Sequence, residues 1–377
     1  MMSSKQGSLF RRRPATLLGC VLLSSMLFAC KHNNNTMTKA LWIANANNVI
    51  EYLPSQLAGG TSAAVPHRTI TSAAIGEPQG VTFDAAGNLW VMDPGAKING
   101  VATPALLKFS AAQLAALGTN AAPDPAATFT STALAFPQQS VFDAKGNQWV
   151  SDHNNNTILV FSAAQLMATG VAATIPVVVI SSAAFNGPLG LVFDAAGNLW
   201  VANNGGVPGA VEGTMSAAGT TIVEFTKPHL PTPPASGMLT PTLAPDVTLS
   251  DNGAGSVQSP WALAVDAAGN LWSSNSGAPF SLVAFSKAMQ MATGAPTPTI
   301  TISPAMVGGI PSLDGTNGLC FDTAGNAAAT NSANAFGVSF YTKGQLMTGA
   351  PAPNTFIVGA ATMQGALAGC NFGTLAN

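Results

Sequence analysis

One position recurs six times along the chain with an oxygen-bearing side chain: Asn45, Asp93, Asp152, Asn203, Asn275 and Asn331. Each closes a run resembling Leu-Trp-Val. A ring of carboxylates and amides can hold a hard divalent cation such as calcium through oxygen ligands. The plainer chemistry is an Asx turn that ends each strand, since a feature present in every repeat needs only a cause present in every repeat. His153 follows Asp152 directly and is the histidine placed for acid–base work. Of the others, His32 lies in a polar leader, His67 precedes a strand and His229 sits in a Pro-rich loop. No partner that would orient His153 can be read from the sequence, and a solvated loop histidine is the plainer reading. Glu77 is the one acid just before the residue that opens a strand. Trp261 stands off the column that holds the other tryptophans. It takes the place of Gln79, Gln138, Leu189 and Asn317, where it would stack on a flat or sugar-like ligand or else fold over its own long repeat. Cys-x-x-Cys, His-Glu-x-x-His, Gly-x-Ser-x-Gly and phosphate-loop patterns are absent.

The elements that must position these residues come from an internal repeat. Phe83-Asp84-Ala-Ala-Gly87-Asn88-Leu89-Trp90-Val91 returns at Phe142, Phe193 and Val265, and in worn form at Phe321. The Asp-to-Asp steps are 59, 51, 72 and 56 residues. Each copy parses into four strands. The first opens at Pro78, Pro137, Pro188, Pro260 or Thr316, and Asp-x-x-Gly-Asn is a tight turn whose Asp caps backbone N–H groups. The second strand carries the Trp, the third is a run such as Thr157–Phe161, and the fourth is β-branched, as in Pro176–Ile180. Between strands three and four, Ser110-x-x-Gln113, Ser162-x-x-Gln165 and Thr342-x-x-Gln345 have capping-box spacing, with Gly118, Gly170 and Gly349 as stops. Each repeat is therefore expected to carry one short helical turn. The N-terminus starts within a repeat at Leu41-Trp42-Ile43, and Gly365–Asn377 reads as a lone first strand. Pairing the two closes a ring and removes its open edges. The expected fold is all-β: a six-bladed β-propeller of four-stranded blades over residues 41–377.

The pattern Pro-x-Gly-Val-x-Phe-Asp-x-x-Gly-Asn-Leu-Trp-Val-x-Asp resembles NHL-repeat propellers. It is also similar to the six-bladed senescence-marker-protein/gluconolactonase group and to streptogramin B lyase. The gluconolactonase resemblance implies a divalent metal held by a Glu, Asn/Asp residues and a further carboxylate, and Glu77, Asn317 and Asn331 stand at comparable places. The usual Glu-Gly-Pro is here Glu77-Pro78-Gln79, and the late Asp is Asn331. A site made mostly of amides binds metal poorly, and the His pair with a nearby Glu that a streptogramin lyase needs is not evident. The leading reading is thus a non-catalytic ligand- or protein-binding propeller. The alternatives are a metal-dependent lactonase, a streptogramin-lyase-like enzyme, or a surface for an envelope assembly. The expected recognition surface is the channel mouth, with Asp93, Asp152, His153, Asn203, Trp261, Asn275, Asn317 and Asn331. Three long loops, Pro94–Thr103, Asn204–Thr220 and Ser303–Thr316, frame it and suit a protein, glycan or small polar ligand.

Residues 1–29 read as an address. Lys5 and Arg11–Arg13 precede an apolar run ending Leu27-Phe28-Ala29-Cys30, which fits a signal peptide. Leu-x-Ala-Cys resembles the lipobox of bacterial lipoproteins, which implies acylation of Cys30 and an outer-membrane or cell-surface location, and the polar run Lys31–Lys39, which lacks periodicity, reads as a flexible tether over 30–40. Cys320 and Cys370 remain in the body, either as buried free thiols or as a disulfide. Charged residues make up only 7% of the chain, against about 25% in an average domain. Cleavage before Cys30 leaves nine cations against 15 acids, a net −6. That balance excludes a nucleic-acid footprint, and the expected state is a monomer held to a membrane by its lipid.

Overall fold

The computed structural model describes residues 39–206, 220–332, 336–359 and 367–374. Its folding unit is built on one turn. Asp84 accepts the Ala86 and Asn88 N–H groups on one oxygen, and the Asn88 amide and Trp90 indole on the other. Gly87, at φ +79°, supplies the left-handed residue. Asp143 and Asp266 repeat the set down to the Trp149 and Trp272 indoles. The Asp therefore fixes the turn and also aims the Trp on the second strand.

In blade three, Pro137–Phe142, Gln148–Asp152, Thr157–Phe161 and Val178–Ser181 run antiparallel from the axis outward. Blades two, four, five and six repeat the order behind inner strands Gly80–Phe83, Pro188–Phe193, Pro260–Val265 and Thr316–Phe321. In blade one the inner strand is the C-terminal Leu367–Thr374, paired antiparallel with Lys39–Asn45 and followed by Asn48–Tyr52 and Arg68–Ile70. The expected six-bladed, end-closed propeller is the fold.

The core lies in the seams. Five of six apolar clusters are each shared by two adjacent blades, and the sixth, between blades five and six, also takes in Leu189 of blade four. Trp90 of blade two meets Phe142 of blade three at 5.9 Å, Trp149 meets Phe193 at 5.5 Å, and Trp272 meets Phe321 at 5.8 Å. Each such Trp removes about 200 Å² from water, worth about 5 kcal/mol before entropic costs. The Phe that opens the turn is thus the packing partner of the preceding blade's Trp in these seams, and in blade five Val265 takes its place beside Trp200.

Three features depart from the sequence reading or add to it. Cys320 and Cys370 form a disulfide, Cα–Cα 6.0 Å, between the inner strand of blade six and the closing strand, so the free-thiol alternative does not hold. The chain between strands three and four also does more than form a helical turn. Gly170–Ala173 of blade three pairs parallel to the outer strand Ala127–Thr130 of blade two. Asn120–Ala121 straps blade one, and Gly60–Ser62 straps blade six, in the same way. Each such strap covers an outer edge that would otherwise be free to pair with another chain. Helical turns occur at Ala111–Ala116, Gln165–Met167, Met289–Met291 and Lys343–Thr348. Of the three expected glycine stops, Gly349 is the left-handed cap; Leu117 ends the first helix, and Gly170 opens a strap. Blade four has no such helix. Pro231 has no N–H to continue the turn Thr226–Leu230, and Pro233 and Pro234 follow it.

The signal peptide, Cys30 and most of the tether lie outside the described residues. Among the described residues no helix is long and apolar enough to cross a membrane.

Candidate functional site

The six oxygen-bearing residues that end the second strands are all fully buried. In blades two and three the residue is Asp, and both carboxylate oxygens accept N–H groups. Asp93 takes those of Gly76, Glu77 and Gly95. Asp152 takes those of Ala135 and Phe136 and the Asn155 amide. In blades four to six the residue is Asn, and the loop offers a carbonyl as well. Asn203 accepts from the Asn186 N–H and donates to the Ala184 carbonyl and the Thr221 hydroxyl. Asn275 pairs likewise with Gln258, Gly255 and Ser281, and Asn331 with Asp314, Ser312 and Ser339. Asn45 donates to Asn48. The choice between Asp and Asn thus follows what the neighbouring chain presents: N–H groups alone, or N–H groups with a carbonyl and a hydroxyl. Burial pushes the Asp93 and Asp152 carboxyls above their ordinary value, against the pull of the N–H donors. In blades two to six these polar groups stitch the loop before strand one to the end of strand two.

His153 is wedged between two glycines. A Cβ on Gly187 would come 2.6 Å from its Cε1, and one on Gly206 2.7 Å. Phe136 meets its ring edge-on at 6.5 Å. Burial lowers its pKa, with the Gly187 backbone pulling the other way, so the ring is neutral at pH 7. Its Nδ1 is buried without a partner. The adjacent Asp152 is committed to its own loop and does not orient it.

Trp261 is not in a loop. It is the second residue of the inner strand Pro260–Val265, is 3% exposed, and packs in one cluster with Leu189, Leu313 and Leu319. Stacking on a ligand at the mouth is therefore corrected to seam packing. Gln138, Leu189, Asn317 and Ala368 hold the same position in their inner strands, Gln79 stands just before its own, and all are buried.

The residues that a lactonase-type metal would use do not fit one. Glu77 is exposed, with its Oε1 3.5 Å from the Gln79 Nε2. Asn317 is buried in the inner strand of blade six. Asn331 Oδ1 already accepts the Asp314 N–H and the Thr316 hydroxyl. Among the described residues no group of three His, Cys, Asp or Glu side chains converges.

A cavity of about 240 Å³ follows the axis. Ser140, Leu191, Leu263, Leu319 and Cys370, the fourth residues of their inner strands, line it with Val81, the second residue of the shorter Gly80–Phe83, and it continues to Phe321 and Asn371. It therefore occupies the half of the channel nearer the Asp-x-x-Gly-Asn turns, opposite the expected mouth.

On the expected face, two of the three long loops carry β-hairpins. Lys97–Ile98 pairs with Val101–Ala102, and Met306–Val307 with Ile310–Pro311. Their turns are Asn99-Gly100, φ +52° and +80°, and Gly308-Gly309, φ +60° and +86°. Val101 is 65% exposed and Met306 69%. Neither hairpin was expected in these loops, although Asn-Gly and Gly-Gly between short runs are the usual hairpin signal. Most of the loop 204–220 lies outside the described residues.

No family model and no curated protein matches the chain. Solved structures do. A chain of the nidogen/laminin complex matches with a TM-score of 0.53 at 14% identity, over 90% of this chain and 100% of that one. A protein of unknown function from Bacteroides caccae matches at 0.53 and 8%, over 89% and 98%. A putative 6-phosphogluconolactonase from Bacteroides fragilis matches at 0.51 and 12%, over 90% and 99%. At these identities the likeness is one of fold, and the propeller resemblance read from the repeat is shown at that level. The matched proteins include one crystallised in a protein complex and one described as an enzyme.

Proposed function

We propose that this protein is a non-catalytic binding propeller of the bacterial cell envelope, anchored by acylated Cys30, which recognises a protein or glycan partner through the face bearing the two hairpins. One observation carries the reading. The oxygen-bearing residues at the ends of the second strands are committed to their own loops, whereas the hairpins beside them expose Val101 and Met306. Exposed apolar tips on a rigid ring suit partner contact better than bond-making chemistry. The Cys320–Cys370 disulfide supports an oxidising compartment. The likeness to a chain of a nidogen/laminin complex supports a propeller used for protein contact.

One preparation tests both parts. Wild-type and Cys30→Ser protein are fractionated, and purified protein is assayed for bound metal and lactone hydrolysis. The expected result is membrane retention only for wild type, no stoichiometric metal and no turnover. Retention of Cys30→Ser contradicts the anchor. Metal-dependent hydrolysis contradicts the non-catalytic reading and restores the lactonase alternative.

A further inference from the structure

The seams are not all packed alike on the turn face. In the seam between blades one and two, Arg68 stands 6.0 Å from the Trp42 ring and donates to the Leu114 carbonyl of the next blade's helix at 2.8 Å. Between blades two and three, Lys108 lies 5.1 Å over Trp90 and donates to the Leu166 carbonyl at 3.1 Å. Between blades three and four this device is missing. The residue paired with Trp149, where Lys108 is paired with Trp90, is Val160. The next blade's helix is replaced by the proline-rich run after Leu230. A cavity of about 420 Å³ remains, within the range of small-ligand sites.

Its chemistry is two-sided. Trp149 gives its indole N–H to Asp143, and Phe193 stands perpendicular to its ring. Leu230 and Pro231 form the opposite wall. The two carboxylates at the cavity, Asp143 and Asp194, are taken up by N–H groups of their own turns. Lys145 and Lys227 at the rim are exposed and form no ion pair with the described residues. Lys227 is held across the turn, its Cδ 3.1 Å from where a Cβ on Gly197 would lie.

We propose that this cavity binds a small amphipathic anion, with a flat apolar body against Phe193, Leu230 and Pro231 and its acidic group between Lys145 and Lys227. The apolar wall supplies burial, and the two uncommitted cations choose the charge. The site is on the opposite face from the hairpins, so it stands or falls separately from the recognition surface proposed above.

The test compares 2-naphthoate with its neutral isostere 2-naphthamide by calorimetry on the full-length protein. Expected is one naphthoate per chain, bound at least tenfold more tightly than the amide. In Lys145→Ala/Lys227→Ala that preference disappears while the melting temperature stays unchanged, because both side chains are exposed. Three outcomes overturn the proposal: no binding of naphthoate, equal binding of acid and amide to wild type, or an undiminished preference in the double variant.

Discussion

Glu224 faces the seam between blades four and five, buried near Asp194 and Asp246. Burial first, then those two carboxylates, push its carboxyl from its ordinary 4.5 up to about 7. Glu51 in blade one is also pushed up to about 7 by burial, although Arg68 lies 3.5 Å away and pulls it down. A carboxyl raised on folding contributes stability that is complete below its unfolded pKa and is lost as pH climbs through its folded value. The melting temperature is therefore expected to fall between pH 5 and pH 8. Glu224→Gln should make that fall shallower and raise the melting temperature at pH 8. A thermal-melt series in which the variant keeps the wild-type slope contradicts this. The oxygen-bearing column was legible in the sequence as Asx turns because the same residue type recurs at the same register. In blades two to six, whether Asp or Asn serves depends on whether the loop before strand one presents a carbonyl, and those loops differ from one another. Trp261 misled for a related reason: a residue beside the opening proline reads as loop, whereas its strand already begins at Pro260.

At the scale of elements, the four strands of each blade were legible because the Asp turn, the Trp and the β-branched runs repeat. The edge straps were not. Gly170-Val-Ala-Ala has little strand propensity, and it is extended because it lies along a neighbouring outer strand rather than because of its own residues. The closing strand was legible only by elimination, since Leu367–Thr374 keeps the Phe of the repeat but not its Asp. The disulfide compensates where the repeat is weakest. It spans 50 residues and ties the closing strand to blade six, which in the chain-entropy account is worth about 4 kcal/mol. Cys320→Ser/Cys370→Ser is expected to lower stability by about 2–4 kcal/mol. It should also speed amide exchange in Leu367–Thr374 more than in the inner strand of blade three. Equal exchange in the two strands contradicts the closing role.

For the whole molecule, a charge content of 7% follows from the architecture. Blade faces pack on blade faces, and turns are built from Gly, Asn and Ala. Five of the acids cap turns, and Asp93 and Asp152 clasp loops. Little charge is left over, and what is uncommitted stands out, such as Lys145 and Lys227 beside the cavity between blades three and four. One face carries the hairpins with exposed Val101 and Met306, and the other carries exposed Met167, Met291 and Met347 on its helical turns and a cavity with cations at its rim. Photo-crosslinking in cells, from an amino acid placed at Val101 or Met306 and, for comparison, at Lys287 on the turn face, tests the recognition face directly. The account predicts a discrete macromolecular adduct from positions 101 and 306 and none from 287. No adduct at the hairpins, or the same adduct from both faces, would contradict it.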